Sequence, residues 1–301
     1  QINDNNFTVS LSETTDGGMT ISSSFKVMDE NTKEDYDAGF TLAFTDGSKL
    51  DVLNAGNASG SHDISVPSSA GAEGITVTTA NNAPTGLDFA TAATVFGVEY
   101  HTADDFLADG LKMSFSASTD NGAASGATYK VDQHFAMGAT YVSDLGDTAV
   151  TFGAGYSQTE GAKTTTQMTA DEGGVHAGIS AVTGDLTVAV GFADGDSIES
   201  TASGANDIQS DADVVKAGVK YVSGDLTFNV GFASGTSKDS ATVGTAGTTE
   251  DSKDVTSASV SYAVASGVTA ILGYSDVDSS NEGQNDTLDG SAWYIGANMS
   301  F

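Results

Sequence analysis

Cysteine is absent from all 301 residues, which removes disulfide frameworks, thiolate metal sites and thiol nucleophiles together. Stability must then come from backbone pairing and packing. Proline occurs only twice. No stretch approaches the ~20 consecutive apolar residues that a spanning helix requires, so a helical membrane protein is excluded. Arginine is absent too: the ten basic residues are all lysine, against 41 Asp plus Glu, for a formal charge of -31. Such a charge repels phosphate backbones and argues against nucleic-acid partners, leaving cations as the charged species the chain would attract. High net charge at low hydrophobicity is also the signature of a disordered or salt-adapted chain, so periodicity has to decide.

What the sequence has is alternation. Gly, Ser, Thr, Ala, Asp and Val dominate, and apolar residues alternate with small polar ones over eight to ten positions, the mark of strands whose two faces meet different surroundings. In 110–119, Leu111, Met113, Phe115 and Ala117 alternate with Lys112, Ser114, Ser116 and Ser118. In 185–193, Leu186, Val188, Val190 and Phe192 alternate with Thr187, Ala189 and Gly191. Fifteen such segments are predicted, at about 6–12, 19–28, 37–45, 49–55, 93–101, 110–119, 131–143, 147–158, 172–183, 185–195, 211–223, 225–236, 253–265, 268–279 and 290–301. They fall in one body spanning 1–301.

The connections alternate in length. Short ones such as Thr183-Gly184-Asp185, Ser223-Gly224-Asp225, Ser266-Gly267 and Asp46-Gly47-Ser48 carry tight-turn residues. Long acidic ones, at 29–36, 56–92, 120–130, 159–171, 196–210, 237–252 and 280–289, occupy every second joint. Short turns on one side and long loops on the other describe an all-β, antiparallel, up-and-down transmembrane barrel, and a bilayer core demands the complete backbone pairing of a closed sheet. Bacterial single-chain barrels have even strand numbers, so a sixteenth strand is expected ahead of Gln1. The polar start shows neither a basic n-region nor an apolar h-region, so any signal peptide is expected to have been removed or to lie outside this sequence.

Residues 6–28, with their Thr14-Thr15-Asp16-Gly17-Gly18 turn, resemble the second and third strands of the general porins of alphaproteobacteria, and the likeness continues through Gly39-Phe40-Thr41-Leu42 and Lys49-Leu50-Asp51-Val52. The last strand, 290–301, with Trp293, Ile295, Met299 and terminal Phe301, looks like the C-terminal assembly signal of outer-membrane barrels. The resemblance implies a sixteen-stranded homotrimeric channel in outer-membrane lipid, with the first strand missing from this chain. It also implies that the third loop, 56–92, folds inward and narrows the pore.

On that reading, Thr8, Ser10, Thr20, Ser22, Ser24, Lys26, Lys49, Asp51, Glu99, His101, Lys112, His176, Lys216 and Lys220 face the lumen. Asp63, Glu73 and Asp88 of the inward loop would form an acidic arc opposite Lys26, Lys49 and Lys112. Such a transverse field orients dipolar solutes and filters ions. Porins of this kind typically carry an arginine cluster on the basic wall. Its absence here predicts cation selectivity, with small hydrophilic solutes and cations as cargo. Tyr100, Tyr141, Tyr156, Tyr221, Tyr262 and Tyr274 suit interfacial girdles, although β-propensity alone would also place them in strands.

No cofactor is required by this chemistry. Ca2+ could be held where acidic loops meet, but no EF-hand or Gly-Gly-x-Gly-x-Asp repeat assigns a site. His62, His101, His134 and His176 lack zinc-ligand spacing, and neither a nucleophile elbow nor a phosphate loop is present, so no catalytic residue is assigned. Two rivals remain. An acidic secreted or surface-layer β adhesin would explain composition but not the sorted loops. A barrel enzyme would need clustered Ser/His or Asp/His at one rim.

Overall fold

The structure, a computed structural model, describes residues 7–28, 39–53, 57–68, 97–119, 131–161, 169–200, 207–240, 249–281 and 286–299. Fifteen strands follow one another: β1 Phe7–Thr14, β2 Thr20–Met28, β3 Phe40–Ala43, β4 Lys49–Val52, β5 Gly97–His101, β6 Leu111–Thr119, β7 Val131–Leu145, β8 Thr148–Gly161, β9 Thr169–Thr183, β10 Leu186–Ser200, β11 Asp207–Ser223, β12 Leu226–Ser240, β13 Thr249–Ala265, β14 Val268–Asn281 and β15 Asp286–Met299. Each pairs antiparallel with the next, in sequence order throughout, which is the up-and-down meander of an outer-membrane barrel. Among the described residues no ladder joins β1 to β15.

The short turns are made by backbone geometry that favours glycine. Gly18, Gly47, Gly110, Gly146, Gly184, Gly224 and Gly267 all have positive φ, and each sits in a short connection at the same end of the sheet. In the Thr15–Met19 turn, the Gly18 N–H donates to the Thr15 carbonyl and the Thr15 N–H to that of Met19, both at 2.9 Å. Asp46 accepts bonds from the hydroxyl and backbone N–H of Ser48, and these hold its pKa below the ordinary carboxylate value.

The period-two pattern is realised as two unlike faces. Outward lie Phe135, Met137, Phe152, Ile179, Val188, Val190, Phe192, Val219, Phe228, Val230, Phe232 and Leu272, all exposed. In a water-soluble sheet this would be a large aggregation hazard; against hydrocarbon it is the stable arrangement. The inward face carries small and polar residues. Register shows this directly, with Thr41, Asp51, Glu99, Ser116, Ala136 and Ser157 following one another from β3 to β8 as Cα partners.

Every predicted strand has its counterpart, but the strands from β8 onward run past their predicted ends on the long-loop side. β10 continues to Ser200 and β11 begins at Asp207, where alternation predicts 195 and 211. Beyond the bilayer both faces of a hairpin meet water, so pairing continues without an apolar alternation to mark it.

Candidate functional site: a loop laid along the channel wall

Asn57–Ser68, in the connection between β4 and β5, lies on the inward face and touches strand after strand. The Ala58 N–H donates to Ser116 Oγ of β6 at 3.1 Å. A 3-10 turn at Gly60–His62 then turns His62 into the wall, where Nδ1 meets Thr140 Oγ1 of β7 at 2.6 Å and Nε2 meets Ser114 Oγ of β6 at 2.8 Å. Further on, His176 of β9 reaches the segment twice: Nε2 to the Ser59 carbonyl at 2.9 Å and Nδ1 to Asp63 Oδ1 at 3.0 Å. Val66 packs on Ala193 and Val214 of β10 and β11.

Glycines on the wall make this course sterically open. A Cβ at Gly138 would stand 2.6 Å from the His62 ring, one at Gly153 2.3 Å from the His62 carbonyl oxygen, and one at Gly178 2.8 Å from Ile64. At Gly218 it would meet the Pro67 carbonyl oxygen at 2.0 Å, and at Gly231 the Ser68 Cα at 2.8 Å. A glycine within a strand often marks such a close backbone approach, and here five strands supply one or more.

His62 is buried against the wall. That burial first, and the positive charge of Lys112 with it, hold its imidazole down at about 4, so the ring that anchors the segment is neutral at neutral pH. Its two hydroxyl partners suit a neutral ring, since each hydroxyl can donate or accept.

Beside this anchor lies a cavity of about 630 Å³ lined by residues that include Lys49, Ser61, His62, His101, Lys112 and Ser114. On its wall Asp51 of β4 and Glu99 of β5 are Cα partners, as are Lys49 and His101. Asp51, Glu99 and His101 are all buried, and one donor atom from each lies within 4.8 Å of the others. Lys49 Nζ stands 3.4 Å from Asp51 Oδ2, and Lys112 Nζ 3.3 Å from Asp104 Oδ1.

Antiparallel pairing in sequence order, an apolar outer face and a segment folded against the inner one describe a channel. The Gram-negative porin family matches residues 1–241. This chain belongs to that family.

The porin is similar in fold to a porin refined at 1.8 Å resolution, with TM-score 0.60, 19% identity and 98% of this chain and 91% of that chain covered. It is also similar to OmpT, an outer membrane protein of Vibrio cholerae, with TM-score 0.54, 14% identity and coverages of 98% and 89%. The anion-selective porin from Comamonas acidovorans gives TM-score 0.53 at 12% identity, covering 98% and 87%. No curated protein matches the chain. As a porin the chain is an integral outer-membrane protein, and the adhesin reading has no support.

The predicted site residues fall in several places. Asp63 lies on the inward segment but is tied to His176. Glu73 and Asp88 lie outside the described residues. Lys49 and Lys112 line the cavity by the anchor, each beside a carboxylate. Lys26 is in β2 opposite Thr8, and its side chain lies outside the described residues. Trp293, Ile295 and Met299 project outward, 71%, 87% and 62% exposed, with the Trp293 ring 4.8 Å from that of Tyr274; Phe301 lies outside the described residues. Tyr100, Tyr141, Tyr221 and Tyr262 are exposed on the outer face. The sequence reading did not assign His62 and His176 as anchors, since nothing in residue spacing brings 62, 114, 140 and 176 together.

Proposed function

We propose that this porin is a water-filled, cation-selective channel through which ions and small hydrophilic solutes diffuse passively, working without catalysis as a homotrimer with its long loops outside the cell. The observation that carries this is the course of Asn57–Ser68 along the inner wall, because a segment held there narrows a pore without closing it. The charge around that constriction supports cation preference. Asp51 and Glu99 face the lumen side by side, while Lys49 and Lys112 each stand against a carboxylate. A chain of net charge -31 also raises the local cation concentration at the mouth. Selectivity belongs to such side chains and not to the fold, since a similarly folded neighbour is an anion-selective porin.

Planar-bilayer conductance under a salt gradient tests the reading. Stable steps with a cation-selective reversal potential, shifted toward neutrality by Glu99→Gln, are expected. An anion-selective potential would overturn the selectivity, and an absence of steps from folded, membrane-inserted protein would overturn the channel. Cross-linking in detergent should give a three-subunit ladder.

A further inference from the structure

The two buried carboxylates at Asp51 and Glu99 are Cα partners on adjacent strands, and His101 stands two residues from Glu99 on the same face. His101 Nε2 lies 3.3 Å from Glu99 Oε1 and 3.4 Å from Asp51 Oδ2. Those separations are longer than the ~2.7–2.9 Å of a charge-assisted hydrogen bond. They match the roughly 3.3–3.6 Å between two donors bound at ~2.0–2.2 Å to one tetrahedral ion.

The remaining atoms of His101 and Asp51 are held as metal ligands usually are. His101 Nδ1 is hydrogen-bonded to Ser114 Oγ at 2.7 Å, which turns Nε2 toward the carboxylates. Asp51 Oδ1 accepts from Thr41 Oγ1, leaving Oδ2 to face His101. Glu99 Oε1 also accepts from Ser61 Oγ at 3.3 Å; a second layer that orients ligands is characteristic of metal sites and fixes the imidazole tautomer. Lys49 Nζ, at 3.4 Å from the same Asp51 oxygen, is a tethered cation on a half-exposed side chain, able to swing into the lumen when a stronger cation arrives.

We infer that Asp51, Glu99 and His101 form a divalent-metal site of the zinc class on the channel wall, with lumen water completing the coordination shell. One imidazole with two carboxylates favours a borderline ion over calcium, which prefers an all-oxygen shell. The site rests on the inward face being wet, as in the proposed channel. Occupation neutralises the carboxylates beside the loop anchor and so lowers cation current.

Titration calorimetry of folded, detergent-extracted protein with zinc chloride at neutral pH tests the site apart from conduction. One zinc should bind, roughly tenfold or more weakly in both Glu99→Gln and His101→Gln. Lys49→Met should bind more tightly, because a competing cation is gone; this variant keeps the test informative if the others fold poorly. Failure of the wild-type protein to bind at millimolar zinc would overturn the site. So would unchanged affinity in both ligand variants, or displacement of zinc by equimolar calcium. Zinc binding by a protein that forms no channels would sink the conduction reading and leave the site standing.

Discussion

Gly218 of β11 lies directly under the backbone of Pro67, so that a Cβ there would stand 2.0 Å from the Pro67 carbonyl oxygen. The clash would be with backbone, which cannot rotate away as a flexible side chain would. Gly218→Ala is therefore expected to push the inward segment off the wall, costing about 1–3 kcal/mol as overpacking does. Single-channel conductance and thermal unfolding should both change. Gly296→Ala, where an added Cβ meets nothing within 4 Å, should leave both nearly unaltered.

The His62 anchor makes the constriction sensitive to acid. Released from the wall, the imidazole would titrate at its ordinary 6.5; anchored, it resists protonation down to about 4. Between those values the released state binds more protons, so anchoring is fully present above 6.5 and is lost progressively as pH falls toward 4. The protection factors of the His62 and Asp63 amides, which divide out the intrinsic slowing of exchange by acid, should fall across that window, and His62→Gln should abolish the change. A protection factor that does not change with pH in the wild-type protein would contradict the mechanism.

Asp63 and His176 form the second tether. His176→Ala removes the contacts at both Ser59 and Asp63, and should increase open-channel current noise without altering the strand ladder. Asp63→Asn, which keeps an acceptor, should have the smaller effect. Equal effects of the two substitutions would show that the contact with the Ser59 carbonyl contributes nothing to the tether.

Val190, on the outer face between Ile179 and Ala217, tests which surface meets lipid. Val190→Arg should destabilise the folded barrel by ~2–4 kcal/mol if it lies near the bilayer midplane. Lys220→Gln, on the inward register opposite Asn229, should shift reversal potential with little change in stability.

Gly224 has φ +59 in the turn between β11 and β12. Gly224→Ala should cost roughly 1–2 kcal/mol by forcing an L side chain into the left-handed region, and Gly224→Asn less. Denaturant unfolding in detergent would separate the two.

How much was legible follows from the range of each interaction. Alternation such as Leu111-Lys112-Met113-Ser114 reports two faces from residues two apart, and turns such as Thr183-Gly184-Asp185 need only a few neighbours; both reappear in the structure as strands and positive-φ turns. The upper halves of the long hairpins escaped, because ladders such as Ser197 with Ser210 have water on both faces and leave no periodic mark. The wall glycines read in sequence as gaps in a pattern, though they are the track on which the inward segment lies.

By itself the sequence determined the strand order, the outward apolar face, the side on which the turns lie and the excess of carboxylates, all of which depend on local periodicity and composition. The tertiary structure alone decided which inward groups meet. His62, Ser114 and His101 join across three elements, Asp51 meets Glu99 by register, and Pro67 rests on Gly218. These meetings depend on how far the sheet curves and how deep one connection folds inside it, and neither quantity is written in any run of neighbouring residues.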